Sequence, residues 1–108
     1  MKVEILYFDG CPTYRTAQET LRRVLAREEV EADVSLVAVN TDEEARRLRF
    51  PGSPTIRVGG EDLFPLPDRT EYVLGCRMYA TQEGLRGSPT AMMLRAALAE
   101  RDIVPGVS

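Results

Sequence analysis

Two thiols, Cys11 and Cys76, are the most reactive side chains of this sequence, and they stand far apart along the chain. There is no histidine, which excludes serine–histidine and cysteine–histidine catalysis as well as histidine-ligated metals. Two widely separated cysteines also lack the spacing of a disulfide framework or of a cysteine-rich zinc site. The chemistry to look for in this chain is therefore that of a single thiol.

The surroundings of Cys11 favour its thiolate form. Residues 2–8 are a strand-like apolar run, Asp9-Gly10 breaks it, and Pro12 suits the first position of a helix. A sulfur at a helix N-terminus meets unpaired backbone N–H groups and the positive end of the helix dipole. Thr13 adds a hydroxyl donor. These features predict Cys11 as a nucleophile with Thr13 as its stabiliser; the plainer alternative is a small residue at a strand–helix junction.

The rest of the chain alternates between strands and helices. The first helix carries an apolar stripe. A strand over 32–39 follows, then a short helix from the Thr41 capping box to Arg49 and a strand over 55–58. An irregular connection over 61–70 leads to a strand over 72–79 and a last helix from Ser88-Pro89 to Arg101. The order β-α-β-α-β-β-α predicts an α/β fold with a mixed four-stranded sheet flanked by helices. The domain is expected to cover 1–104, with a loose tail over 105–108.

That order resembles the thioredoxin-like fold, and two motifs carry the resemblance. The first is Phe8-Asp9-Gly10-Cys11-Pro12-Thr13-Tyr14, a strand end followed by a Cys-Pro helix start. The second, Gly52-Ser53-Pro54-Thr55-Ile56, is similar to the cis-proline turn before the third core strand of thioredoxins. The resemblance implies that Pro54 is cis and that the Ser53 backbone faces Cys11, free to pair with an extended substrate. It implies substrate-binding roles for Pro12, Tyr14, Ser53, Pro54 and Thr55.

One departure from the family changes the expected reaction. Tyr14 stands where the family's Cys-X-X-Cys motif has its second cysteine, so no resolving thiol follows one turn after Cys11. This leaves monothiol exchange with a protein or small-molecule thiol or disulfide, in the manner of single-cysteine glutaredoxins. The alternative is a non-catalytic thioredoxin-fold binding module. No cofactor is expected, and glutathione has little support because Asp9-Gly10 stands where a glutathione-site lysine would be.

Cys76 is predicted to lie midway along the fourth strand, sharing a face with other apolar residues as a buried core cysteine. Two strand spacings of about 4.8 Å would then separate it from Cys11, so no disulfide between them is expected. Two other interpretations stay open. In the first, Cys76 is a second thiol that reaches Cys11. In the second, the set of Cys11, Cys76 and Asp9 is similar to the two cysteines and the aspartate of alkylmercury lyases.

Charge and hydropathy narrow the partners further. The 14 basic and 17 acidic side chains give a net charge of −3 without a basic stripe, which argues against nucleic-acid binding. No apolar run is long enough to span a membrane, and the N-terminus lacks the pattern of a signal peptide, so a cytoplasmic location is expected. Arg57 and Arg77 are expected to be solvated or ion-paired.

Overall fold

The computed structural model describes residues 1–67, 71–72 and 74–105 as an α/β fold on a mixed four-stranded sheet flanked by helices, as predicted. In chain order the elements are β1 (Lys2–Tyr7), α1 (Thr13–Arg27), β2 (Asp33–Ala38), α2 (Asp42–Arg47), β3 (Thr55–Val58), β4 (Glu61–Asp62), β5 (Tyr79–Thr81), β6 (Gly84–Arg86) and α3 (Ala91–Glu100). The sheet order is β2-β1-β3-β4. The strand β1 runs parallel to β2 and antiparallel to β3, and β4 is antiparallel to β3.

Three of the predicted segments fall partly outside the described residues. They are positions 106–108 of the tail, positions 68–70 of the connection over 61–70, and position 73 of the strand over 72–79.

Strand β1 buries side chains on both of its faces, so the sheet is covered on both sides. Val3 and Ile5 are fully buried against residues of α1 and α3, which pack on one face of the sheet. Leu6 points to the other face, where Ala45 of α2 and Phe50 cover it. This two-sided cover is what an apolar strand in the middle of a sheet requires. It also fixes the end of β1, and with it the position of Cys11.

Thr41 is confirmed as the N-cap of α2, but the predicted capping box is only half formed, because the backbone N–H that donates to the Glu44 carboxylate is that of Asn40. The Thr41 hydroxyl oxygen accepts a hydrogen bond from the Glu44 backbone N–H at 3.0 Å, and the Glu44 carboxylate accepts from the Thr41 hydroxyl at 3.1 Å. Helix α3 begins slightly later than predicted, because Thr90 rather than Ser88 is its N-cap. Helix boundaries are shifted by one or two residues in this way wherever several capping side chains follow one another.

The predicted fourth strand over 72–79 is wrong. Gly59 and Gly60, both at positive φ, form a tight turn, and Glu61–Asp62 return at once to pair with β3 as β4. The Phe64 N–H then donates to the Asp62 side chain at 2.8 Å and turns the chain away. Pro65 and Pro67 weigh against a longer strand because proline has no N–H to donate. Of the residues that the structure describes within 72–79, only Tyr79 belongs to a strand, and that strand is β5 in the separate β5–β6 hairpin.

Residues 74–78, which we call the strap, cross the end of the sheet instead of joining it as a strand. Arg77 anchors the strap and is 4% exposed. Its guanidinium donates to the Asp62 carboxylate at 2.7 Å and to the Phe64 carbonyl, and it lies 4.8 Å from the centre of the Tyr79 ring. The sequence prediction allowed Arg77 to be solvated or ion-paired. It is ion-paired, and it is buried.

Removing this buried charge should destabilise the protein strongly. Arg77→Met leaves the Asp62 carboxylate, 18% exposed in the ion pair, without its partner, and we expect a loss of about 3–5 kcal/mol in the free energy of unfolding. Arg23→Met is the matched control, because Arg23 forms an exposed pair with Glu19, and it should cost about 0.5 kcal/mol or less. Chemical denaturation measures both. Equal losses would contradict the anchoring role of Arg77.

Candidate functional site

Cys11 lies fully buried between β1 and α1. Its N–H donates to the Phe8 carbonyl at 3.1 Å, which closes the turn through Asp9-Gly10. Pro12 is exposed and is the N-cap of α1, whereas the sequence predicted it at the first helical position, which Thr13 occupies. Pro12 offers no side-chain cap, so the first N–H groups of α1 remain available to other acceptors. The Cys11 sulfur is one such acceptor, because it takes a hydrogen bond from the Thr13 N–H. It also lies 3.1 Å from the Thr13 hydroxyl oxygen.

The turn before β3 faces Cys11, as predicted. The Ser53–Pro54 peptide bond is cis, and Ser53, Pro54 and Thr55 are all buried. The Cys11 sulfur lies 3.5 Å from the Ser53 carbonyl oxygen. Thr55, expected to bind substrate, instead donates its hydroxyl to the Gly52 carbonyl at 2.6 Å. It therefore holds the shape of the turn.

The position of Cys76 is the main correction to the sequence prediction. Its sulfur lies 2.8 Å from the Cys11 sulfur, and its side chain is exposed instead of buried in the core. The predicted separation by two strand spacings assumed that Cys76 lies in a strand of the sheet, and it lies in the strap. Both cysteines are free here, with no disulfide bond between them. Two sulfurs this close need only a small movement to reach the disulfide bond length of about 2.05 Å.

The strap reaches Cys11 by pairing with Ser53. The Ser53 N–H donates to the Gly75 carbonyl at 2.8 Å, and the Arg77 N–H donates to the Ser53 carbonyl at 2.8 Å. These bonds form a parallel bridge between Ser53 and Cys76. The two backbone groups that the resemblance left free for a substrate are thus occupied by the protein's own chain. A substrate that pairs with Ser53 has to displace the strap first.

Glycine at position 52 makes this approach sterically feasible. Gly52 has φ +133°, and a Cβ atom there would lie 2.9 Å from the Arg77 Cβ and 3.1 Å from its Cα. Gly87 plays a similar part on the other side of Cys11, since a Cβ there would lie 2.7 Å from the Thr13 Cγ2. Sequence reasoning missed both. The signal was available at Gly52, because glycine next to a cis-proline turn marks a close approach of another segment.

The charges of the two thiols differ because of their surroundings. Burial raises the pKa of the Cys11 thiol, but hydrogen bonds from the Cys76 thiol and from the hydroxyl and N–H of Thr13 outweigh burial, and the net pKa lies below the ordinary value. The pKa of the Cys76 thiol is raised, first by its hydrogen bond to Cys11 and then by burial. When the pair loses one proton, the charge therefore falls on Cys11 and the remaining proton stays on Cys76. The Ser53 side chain contributes least to lowering the pKa of Cys11, and its buried hydroxyl makes no hydrogen bond among the described residues.

Two other predicted site residues do not reach the sulfurs. The Tyr14 ring stacks on Tyr7 with centroids 4.1 Å apart, and Arg15 lies over its ring. Asp9 is exposed and forms no hydrogen bond or ion pair with either sulfur among the described residues. Of the three residues that are similar to those of alkylmercury lyases, the structure thus brings the two cysteines together but not Asp9. Within the described ranges, no three metal-ligating side chains converge on a common point.

Comparison with protein-family models, curated protein sequences and solved structures found no match to this chain. Among the described residues, no helix is both long enough and apolar enough to cross a membrane. The geometry of Cys11, Cys76 and Ser53 is the feature of this chain that indicates a function.

Titration of the reduced protein should separate the two thiols. One thiolate should form below the ionisation of free cysteine, near pH 8.5, and the second above it. Because the folded pKa of Cys11 lies below its unfolded value, its thiolate stabilises the fold at high pH, and this contribution is lost as pH falls through the folded pKa. Thr13→Val removes one donor at nearly constant volume and should move the first ionisation upward. Thr16→Val on the exposed face of α1 should not. Ultraviolet absorbance of the thiolate measures both, and coincident ionisations would contradict the assignment.

The contact between Gly52 and the strap can be tested against a glycine with similar backbone strain. Gly52→Ala should destabilise the fold by about 1–3 kcal/mol and slow oxidation of the two thiols to a disulfide, because the new methyl group pushes Arg77 and the strap away. Gly84→Ala is the control, since Gly84 has φ +97° but nothing within 4 Å of its Cβ position. It should lower stability without slowing the oxidation. Equal oxidation rates in the two variants would show that Gly52 does not position the strap.

Proposed function

We propose that this protein is a thioredoxin-like thiol–disulfide oxidoreductase that cycles between a Cys11/Cys76 dithiol and an intramolecular disulfide. The single observation that carries the proposal is the 2.8 Å distance between the two sulfurs. In the net reaction the dithiol gives two electrons and two protons to an external disulfide, which becomes two thiols, while the protein closes its own disulfide. The monothiol chemistry expected from Tyr14 is replaced by a dithiol whose second cysteine comes from the strap.

The fold supports this proposal by its topology. The sheet order is β2-β1-β3-β4, α1 follows β1, and a cis-proline stands immediately before β3, which is compatible with the thioredoxin-like resemblance although its fourth strand is not the segment expected. That arrangement brings the start of α1 and the turn at Ser53 to the same end of the sheet. The second thiol, Cys76, comes from a different part of the chain than the second cysteine of a Cys-X-X-Cys motif. It nevertheless contacts the sulfur of Cys11, the first cysteine position of that motif.

The electrostatics support it as well. Thiol–disulfide exchange needs an attacking thiolate and a partner that holds the proton. The lowered pKa of Cys11 and the raised pKa of Cys76 supply this asymmetry within one hydrogen bond. In a reducing compartment such as the proposed cytoplasmic location, the dithiol is the resting form.

Mild oxidation tests the proposed cycle. The folded monomer should lose both free thiols, counted after denaturation without reductant, and should recover both on reduction. Cys11→Ser and Cys76→Ser should each keep one free thiol as monomers. Oxidation of the unfolded chain is the control and should be slower by roughly tenfold or more, because the ends of a long loop then meet by chance. A folded monomer that retains both thiols would overturn the oxidoreductase proposal and favour a non-catalytic binding module.

A further inference from the structure

The two sulfurs differ completely in their access to solvent. Cys11 is 0% exposed, whereas Cys76 is an exposed residue on the strap. The Cys11 sulfur is in contact with Thr13, Ser53 and Cys76. An external thiol can approach a disulfide between them only from the side of Cys76. Access to a sulfur decides which end of a disulfide is attacked.

The hydrogen bonds around Cys11 favour the same direction of exchange. When a disulfide is attacked at one sulfur, the other sulfur leaves as a thiolate, and a leaving thiolate that is better stabilised leaves faster. The Thr13 hydroxyl and N–H are in place to stabilise the charge on Cys11. No comparable donor reaches the Cys76 sulfur among the described residues, because Cys76 itself is the donor in its hydrogen bond to Cys11.

The strap also restricts the kind of partner. Its bonds to the Ser53 N–H and carbonyl leave neither group for an extended polypeptide. Displacing it would separate Arg77 from Asp62 and disturb the bond from the Tyr79 hydroxyl to the Pro54 carbonyl at 2.5 Å. Arg77 is the only charged residue of the strap, and its charge is directed inward. The outer surface of the strap, which includes the exposed Met78, is therefore uncharged.

On these grounds, and resting on the proposed function, we propose that Cys76 is the sulfur that exchanges with the external partner and that the partner is a low-molecular-weight thiol or disulfide. In this scheme Cys11 is the internal leaving and resolving thiolate. An external thiolate attacks the Cys76 sulfur, forms a mixed disulfide with it, and breaks its bond to Cys11, which keeps the electron pair. A second external thiolate attacks the mixed disulfide, forms the external disulfide and releases Cys76 as a thiolate, which takes up a proton. In the reverse direction the Cys76 thiol passes its proton to the Cys11 thiolate across their hydrogen bond and attacks the external disulfide, which forms the mixed disulfide and releases one external thiolate. Cys11 gives its proton to that thiolate and then attacks the Cys76 sulfur of the mixed disulfide, which closes the Cys11–Cys76 bond and releases the second external thiolate. This assignment reverses the roles that the sequence predicted.

The test uses wild-type protein that has first been oxidised and shown to hold the Cys11–Cys76 disulfide, so that failure of the proposed function is recognised before this step. The protein is mixed with 2-mercaptoethanol, an uncharged small thiol, and quenched with acid at millisecond intervals. Peptide mapping by mass spectrometry then locates the adduct. We expect at least ~tenfold more adduct on Cys76 than on Cys11. An adduct mainly on Cys11 would overturn the assignment.

A second measurement tests the class of partner. A short cysteine-containing peptide and the same peptide N-methylated at the residues flanking its cysteine are compared as reductants of the oxidised protein. Because the strap already occupies Ser53, the two peptides should react at rates within about twofold of each other and no faster than 2-mercaptoethanol at equal thiolate concentration. A rate advantage of about tenfold or more that disappears on N-methylation would show backbone docking at Ser53 and would make extended polypeptides the partner.

Discussion

The two backbone hydrogen bonds between Ser53 and the strap are the interaction on which the rest of this site depends. They bring Cys76 beside Cys11 although 65 positions separate the two residues in the chain. Each bond is worth only about 1 kcal/mol net, so the strap needs further anchoring. The ion pair between Arg77 and Asp62 provides it, together with the absence of a side chain at position 52. The contact between the sulfurs is therefore a product of packing at the end of the sheet.

Burial and charge compete at Cys11, and the outcome explains the form of the site. A buried thiolate is costly unless donors replace the water that it loses. Thr13 supplies two donors at the start of α1, and the Cys76 thiol supplies a third. When one of the two thiols ionises, the charge thus falls on the buried sulfur and the proton stays on the exposed one. The exposed sulfur is the one that solvent and small molecules meet.

The strap gives this site a property that an open cis-proline turn lacks. The same N–H and carbonyl of Ser53 cannot serve the strap and an extended substrate at once. Holding Cys76 in place therefore excludes the substrate docking that the turn would otherwise support. The Ser53 N–H and carbonyl can either hold the strap, which places Cys76 beside Cys11, or bind an extended polypeptide. In this structure they hold the strap.

The sequence by itself determined the α/β alternation and the thiol before α1, because both depend on local patterns: apolar periodicity and the Cys-Pro junction. The cis bond at Pro54 was implied by the resemblance that the Gly-Ser-Pro-Thr turn carries, and the structure has it. The sequence also contained the Gly59-Gly60 hairpin signal, whose consequence for the fourth strand went unrecognised. Only the tertiary structure decided where Cys76 lies. The apolar run over 72–79 looks like a strand locally, but its place in the sheet is filled by Glu61–Asp62. The buried contacts of Arg77 and Tyr79 then hold it across the end of the sheet. Competition between two segments for one sheet edge is a property of the whole fold, and no window of sequence contains it.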